Sequence, residues 1–177
     1  MNKKILITGP PRCGKSTLIV KLIDYFSDLN YTIHGFLTPE VRKEGNRIGF
    51  DFEDINSKAK GKLARIGNYN TKYKLGRYCI FIEEFEKLIS NLEDIVFLKR
   101  ELLVIDEIGK MELFSKKFQD LITKFFHSDI KIIATIAQKM KHPLKDSLLK
   151  IPEVVIVNLT RQNHQEIFKK IIAIIAE

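Results

Sequence analysis

Residues Gly9-Pro10-Pro11-Arg12-Cys13-Gly14-Lys15-Ser16 fit the pattern GxxxxGK[ST]. The pattern lies between an apolar run, Lys4 to Thr8, and a segment whose Leu18, Ile19, Leu22, Ile23 and Phe26 recur at helical spacing. Strand, glycine loop and helix in that order restrict the chain to folds in which a buried strand delivers a loop to a helix amino terminus. The glycines let backbone N–H groups converge on an anion, and the unsatisfied donors and positive end of the helix favour a polyphosphate there. On this reading Gly9, Pro10, Pro11, Arg12, Cys13, Gly14, Lys15, Ser16 and Thr17 bind a nucleotide. Lys15 is expected to bridge β- and γ-phosphate oxygens, and the Ser16 hydroxyl to ligate Mg²⁺. A glycine turn that merely caps a helix is the bland alternative, and its place directly after a strand argues against it.

Such a loop needs a carboxylate at the tip of a neighbouring buried strand, and Leu102-Leu103-Val104-Ile105-Asp106-Glu107 offers four apolar residues followed by two acids. Asp106 is expected to hold Mg²⁺, through water. Glu107 is expected to take a proton from, or orient, the water that attacks the γ-phosphorus, with Lys15 as the second catalytic group. The reaction this implies is Mg²⁺-dependent hydrolysis of nucleoside triphosphates to diphosphate and phosphate. A small-molecule or polynucleotide kinase is a rival reading, with the stretch from Lys58 to Lys74 as its lid. A nucleotide-gated module that grips RNA or a protein is another.

The remaining pattern predicts alternating strands and helices. Strands are expected at Ile33 to Thr38, Tyr78 to Ile82, Leu102 to Asp106, Ile130 to Ile136 and Val154 to Asn158. Helices are expected from about Glu84 to Leu92, along the stripe Phe114, Phe118, Leu121, Ile122 and Phe125, and after a capping box made by Asn163 and Glu166. Between them, Val41, the turn Glu44-Gly45-Asn46 and the alternation of Ile48, Phe50 and Phe52 predict an inserted β-hairpin. Gly61, Gly67 and Gly76 mark a loop-rich stretch. The whole predicts one α/β domain over residues 1–177, a mostly parallel sheet with helices on both faces.

Charge and cysteine content narrow the setting. A formal charge of +8 attracts phosphate-rich molecules in general, and a modest basic cluster runs from Lys58 through Lys74. Nucleic acid is permitted but not indicated. Cys13 and Cys79 form no CxxC pair, the four histidines show no ligand spacing, and no apolar stretch approaches membrane-spanning length. A cytoplasmic monomer is the expectation, read in part from the start Met1-Asn2-Lys3-Lys4. Arg42 and Lys110 are candidates for a charge that stabilises the transition state, and Glu112 for a further acid; each is equally accounted for as an ordinary surface group.

Four passages carry a resemblance to a known family. They are Thr8 through Leu18; Gly35-Phe36-Leu37-Thr38-Pro39-Glu40-Val41-Arg42; Arg47-Ile48-Gly49-Phe50-Asp51; and Val104-Ile105-Asp106-Glu107-Ile108-Gly109-Lys110-Met111-Glu112-Leu113. Together they resemble the small cytosolic nucleoside-triphosphatases of the thermophile and human cancer-related type. The resemblance implies a RecA-like branch of the P-loop fold and slow Mg²⁺-dependent hydrolysis of several nucleoside triphosphates, ATP and GTP among them. Two places depart from the family pattern: Arg12-Cys13, where a glycine and a small apolar residue are usual, and Asn163-His164, where Asn-Arg is.

Overall fold

The apolar runs of the sequence become the inner strands of one mixed, 10-stranded sheet in the computed structural model, which describes residues 3–176. Met1, Asn2 and Glu177 lie outside the described residues, and with the first two goes part of the reading of the amino terminus. The strands are β1 (Lys4–Thr8), β2 (Thr32–Leu37), β3 (Glu40–Lys43), β4 (Asn46–Asp54), β5 (Lys60–Ile66), β6 (Tyr73–Leu75), β7 (Tyr78–Ile80), β8 (Glu101–Ile108), β9 (Lys131–Ile136) and β10 (Val154–Asn158). The helices are α1 (Lys15–Asp28), α2 (Ile82–Ile89), α3 (Lys116–His127), α4 (Pro143–Leu148) and α5 (His164–Ala176).

Strand order is β10-β1-β9-β8-β2-β4-β5-β7-β6, with β3 paired to β4. The part from β10 to β2 is parallel, and everything from β4 onward is antiparallel. In the parallel part the continuous apolar runs split by alternation. Ile5, Ile7, Leu102, Val104 and Ile133 face α1 and α5, whereas Leu6, Leu103, Ile105, Ile132 and Ala134 face α2, α3 and α4. A strand covered on both sides needs apolar residues at every position, which is why these runs show no polar alternation. On the second face Phe36, Phe85 and Phe118 meet edge to face, with ring centroids 5.3 to 5.7 Å apart. Each such pair contributes about 0.5–1.5 kcal/mol beyond its buried area.

Helices α3 and α4 start on side-chain acceptors. Ser115 Oγ accepts from Phe118 N–H at 3.0 Å to cap α3. Asn163 behaves otherwise than expected: its Oδ1 accepts from Thr160 N–H and its Nδ2 donates to Asn158 O, so its side chain shapes the turn before α5. The capping box with Glu166 is not among the hydrogen bonds of the described residues.

The insertion is larger than a hairpin. β3 and β4 form the expected pair, but β4 also joins the main sheet through β2, and β5, β7 and β6 extend it. The stretch from Lys58 to Lys74, read from its glycines as loop, is largely β5 and the turn into β6. Gly61 is a glycine for a packing reason, since a Cβ there would collide with the ring of Phe52 across the strand pair.

Candidate active site

The parallel strands all end on the same side, and a ligand crevice forms outside such carboxyl ends. β1 leads into the loop from Gly9 to Gly14, and α1 begins at Lys15. Gly9 passes so close to β10 that a Cβ would collide with the Leu159 carbonyl and with Cys13 Sγ. Gly14 adopts φ 95°, the left-handed conformation that favours glycine, and a Cβ there would also lie 2.6 Å from the His164 ring. No side chain caps α1, so the first-turn N–H groups remain available for an anion.

Within this loop Lys15 Nζ donates to the carbonyls of Gly9 at 3.1 Å and Pro10 at 3.3 Å, which holds the ammonium over the loop. Ser16 and Thr17 are exposed at the start of the helix. Pro10, Pro11 and Arg12 are exposed too, whereas Cys13 is buried and packs into the core beneath.

β8 brings its acids to the same place. Asp106 is buried and accepts a hydrogen bond from Thr135 Oγ1 at 2.6 Å, with the Ser16 hydroxyl near enough to favour its charged form. Burial pushes its carboxyl above the ordinary value, against the opposing pull of those hydroxyls and of Lys15. β8 and β9 lose register between Ile105 and Ile108: Ile105 pairs with Ala134 and Ile108 with Ile136, so Asp106 and Glu107 together oppose Thr135. In a regular strand consecutive side chains point to opposite faces; this irregularity lets both acids serve one site. Burial and the neighbouring Asp106 raise the Glu107 carboxyl, and Lys15 works against the rise.

A third acid joins them. A Cβ on Gly109 would lie 2.7 Å from Glu112 Oε2 and 3.0 Å from Glu107 Oε1, so the bare glycine leaves room for two carboxyl groups to converge. Glu112 is enclosed, and its pKa is pushed up to about 8 by burial and then by the charge of Glu107. It therefore keeps its proton near neutral pH.

The two cationic candidates fall differently. The Arg42 guanidinium is tied within the hairpin to Glu40, at 2.7 Å, and to the Gly45 carbonyl, at 2.8 Å. Arg47 shares Glu40 and also donates to Tyr78 OH. Lys110 is exposed beside the acid-bearing strand. Two further residues touch these segments: Thr135, which sequence reasoning passed over, and His164, singled out there only as a departure from the family pattern. Thr135 is a fully buried hydroxyl in an otherwise apolar strand, and that oddity was the available signal. His164, at the start of α5, places Nε2 2.6 Å from Cys13 O and rests on the loop; nothing in the sequence announces a contact across 151 positions.

The donor set suits a hard divalent cation. Hydroxyl and carboxylate oxygens meet at Ser16 and Asp106, and no cluster of three or more His, Cys, Asp or Glu side chains among the described residues offers a competing site.

The sequence model of the NTPase_1 family, described as NTPase, matches residues 4–172. The chain belongs to this NTPase family. Nucleoside-triphosphatase THEP1 of Thermotoga sp. (strain RQ2) is 36% identical over 97% of this chain and 95% of its own length. The cancer-related nucleoside-triphosphatase homolog of Mus musculus is 34% identical over 99% and 97%. Among solved structures, that of THEP1 from the hyperthermophile Aquifex aeolicus superposes with a TM-score of 0.84 at 33% identity, covering 98% of this chain and 99% of that one. The solution structure of a human cancer-related nucleoside triphosphatase gives 0.80 at 31% identity, covering 97% and 96%. The α/β P-loop fold of this NTPase is that of its relatives, and no described helix is long and apolar enough to cross a membrane.

Thr135→Val, close in shape but lacking the hydroxyl, is expected to lower kcat about tenfold and to raise the Mg²⁺ concentration needed for half-maximal rate. A Mg²⁺ titration of phosphate release checks this; an unchanged titration would remove Thr135 from the site.

Proposed function

We propose that this NTPase transfers the terminal phosphoryl group of a Mg²⁺-complexed nucleoside triphosphate to water, within a single domain of residues 1–177. The observation that supports the reading most is the meeting of the phosphate loop with the acid-bearing strand: Ser16 and Lys15 both act on the buried Asp106 carboxyl, and Lys15 also on Glu107. On this reading the N–H groups at the start of α1 and the Lys15 ammonium bind the phosphate chain and hold its γ-phosphoryl group against β8. Ser16 and Asp106 would hold Mg²⁺, which, when bound, neutralises charge on the β- and γ-phosphate oxygens. Glu107, its carboxyl raised by burial, orients water and accepts its proton. Asp106 keeps its place through the Thr135 hydroxyl.

Hydrolysis is favoured over phosphoryl transfer to another acceptor because a proton acceptor for water stands beside the metal-holding acid. Residues 60–66 of the stretch read as a kinase lid are built into the sheet as β5. The experiment is phosphate release from Mg-ATP and Mg-GTP with no acceptor added, repeated with EDTA. Steady release that EDTA abolishes supports the proposal; release only on adding an acceptor contradicts it. Lys15→Ala is expected to raise KM and to lower kcat about 10²-fold, since the lysine contacts the phosphates before and during transfer.

A further inference from the structure

The antiparallel half of the sheet has two unlike faces. Cross-strand partners share a face, so Ala64, Ile80 and Tyr73 lie together, as do Ile66, Tyr78 and Leu75. This side packs on Met111 and Phe114, and farther along Phe52 and Leu63 meet Phe85 of α2. The alternate row, Arg65, Cys79 and Lys74, points the other way. Phe81, two residues after Cys79, continues that row, and Lys60 and Lys62 join it through their partners Glu53 and Asp51. Lys60, Lys62 and Lys74 are exposed.

Two properties of this open face point to one kind of partner. Its charge is one-sided in sequence: residues 55–82 contain seven Lys and Arg and no Asp or Glu. The neighbouring acids are partly spent, Asp51 on Arg65 and Glu53 on Lys60. The face also carries an aromatic pair. Tyr69, 40% exposed, stands edge-on to Phe81 with centroids 5.3 Å apart, and Lys62 Nζ lies 5.7 Å from the Phe81 centroid. The turn through Gly67 and Tyr69 covers Cys79, and Phe81 is half-buried, so the rings sit at the border of the cationic row. Cations beside partly exposed rings bind the phosphates and the unstacked bases of a single strand; a duplex offers no free base faces.

We propose that this face binds single-stranded nucleic acid, with Tyr69 and Phe81 stacking on bases and Lys60, Lys62, Arg65 and Lys74 meeting phosphates. None of these residues is among those assigned to the phosphate loop or to the acids of β8, and their use does not depend on the hydrolytic reading.

The test is fluorescence anisotropy of a labelled 20-nucleotide single-stranded RNA with the full chain, in the presence of Mg²⁺ and a nonhydrolysable ATP analogue that fills the phosphate loop. Neutralising four phosphates gives a log–log salt slope of about −3, or about 50-fold weaker binding at 200 mM than at 50 mM salt. The double variant Lys62→Glu/Lys74→Glu is expected to lose at least about tenfold in affinity and Tyr69→Ala about tenfold, with acceptor-free phosphate release unchanged as the sign of an intact fold. Duplex RNA of the same length is expected to bind at least about tenfold more weakly. Equal binding of duplex, wild-type affinity in the variants, or no binding at 50 mM salt would each overturn the proposal. The last would leave the lysines as guards against edge-to-edge sheet pairing.

Discussion

Glu107→Gln is expected to bind Mg-ATP as tightly as the unaltered enzyme and to turn it over about 10³-fold more slowly, a loss of about 4 kcal/mol in transition-state stabilisation. The amide fills the same space at the end of β8 and can still orient water, but it cannot accept the proton. Binding is expected to survive because the groups proposed to hold the phosphates, the α1 amides and Lys15, are not touched by the substitution. Removing this charge also relieves the repulsion that helps raise the Glu112 carboxyl, so nucleotide affinity is expected to hold or improve. Single-turnover phosphate release, together with equilibrium binding of a fluorescent ATP analogue, separates the two effects. Turnover within about threefold of the unaltered enzyme would remove Glu107 as the proton acceptor.

Glu112→Gln is expected to flatten the pH dependence of stability. The folded chain holds the Glu112 carboxyl at about 8 against an ordinary value of 4.5, so between these values the native state binds more protons than the unfolded one. Stability from this group is therefore full below about pH 4.5, falls as pH rises toward about 8, and is level above. The interval corresponds to up to about 5 kcal/mol. Glutamine keeps an oxygen for the N–H groups of Gly109 and residue 112 and never ionises. The variant should match the unaltered chain at pH 5 and melt well above it at pH 9. Parallel loss of Tm with pH in both proteins would contradict the enclosure of Glu112.

The site was legible in sequence where one local pattern carries it. The phosphate loop announces itself because glycine, lysine and a hydroxyl at fixed spacing have few other reasons to stand between a strand and a helix. The acids at the end of β8 were legible because four apolar residues ending in two charges mark where a buried strand emerges. Thr135 was not, because a single hydroxyl in an apolar run is unremarked until the fold sets β9 beside β8. His164 depends on the β10 to α5 turn lying over the loop, a long-range fact.

In the fold, the parallel strands were legible from apolar runs covered on both faces. β5 was not, because Lys60-Gly61-Lys62 carries the marks of a loop. Its polar side faces solvent, and its glycine gives way to a ring on the neighbouring strand. α4 was passed over because its six residues are too few to show a period, although Pro143 at its start and the His142 side chain accepting from Leu144 N–H are ordinary start signals.

The loop after β1 and the acids ending β8 are proposed to enclose one Mg²⁺-bound triphosphate. A crystal structure with Mg²⁺ and a nonhydrolysable ATP analogue tests this most directly. Ser16 Oγ is expected about 2.0–2.1 Å from the metal, Asp106 hydrogen-bonded to metal-bound water, and Glu107 within about 3 Å of a water facing the γ-phosphorus. Phosphates bound away from the α1 amides, or Glu107 turned out of the crevice with the analogue in place, would contradict it.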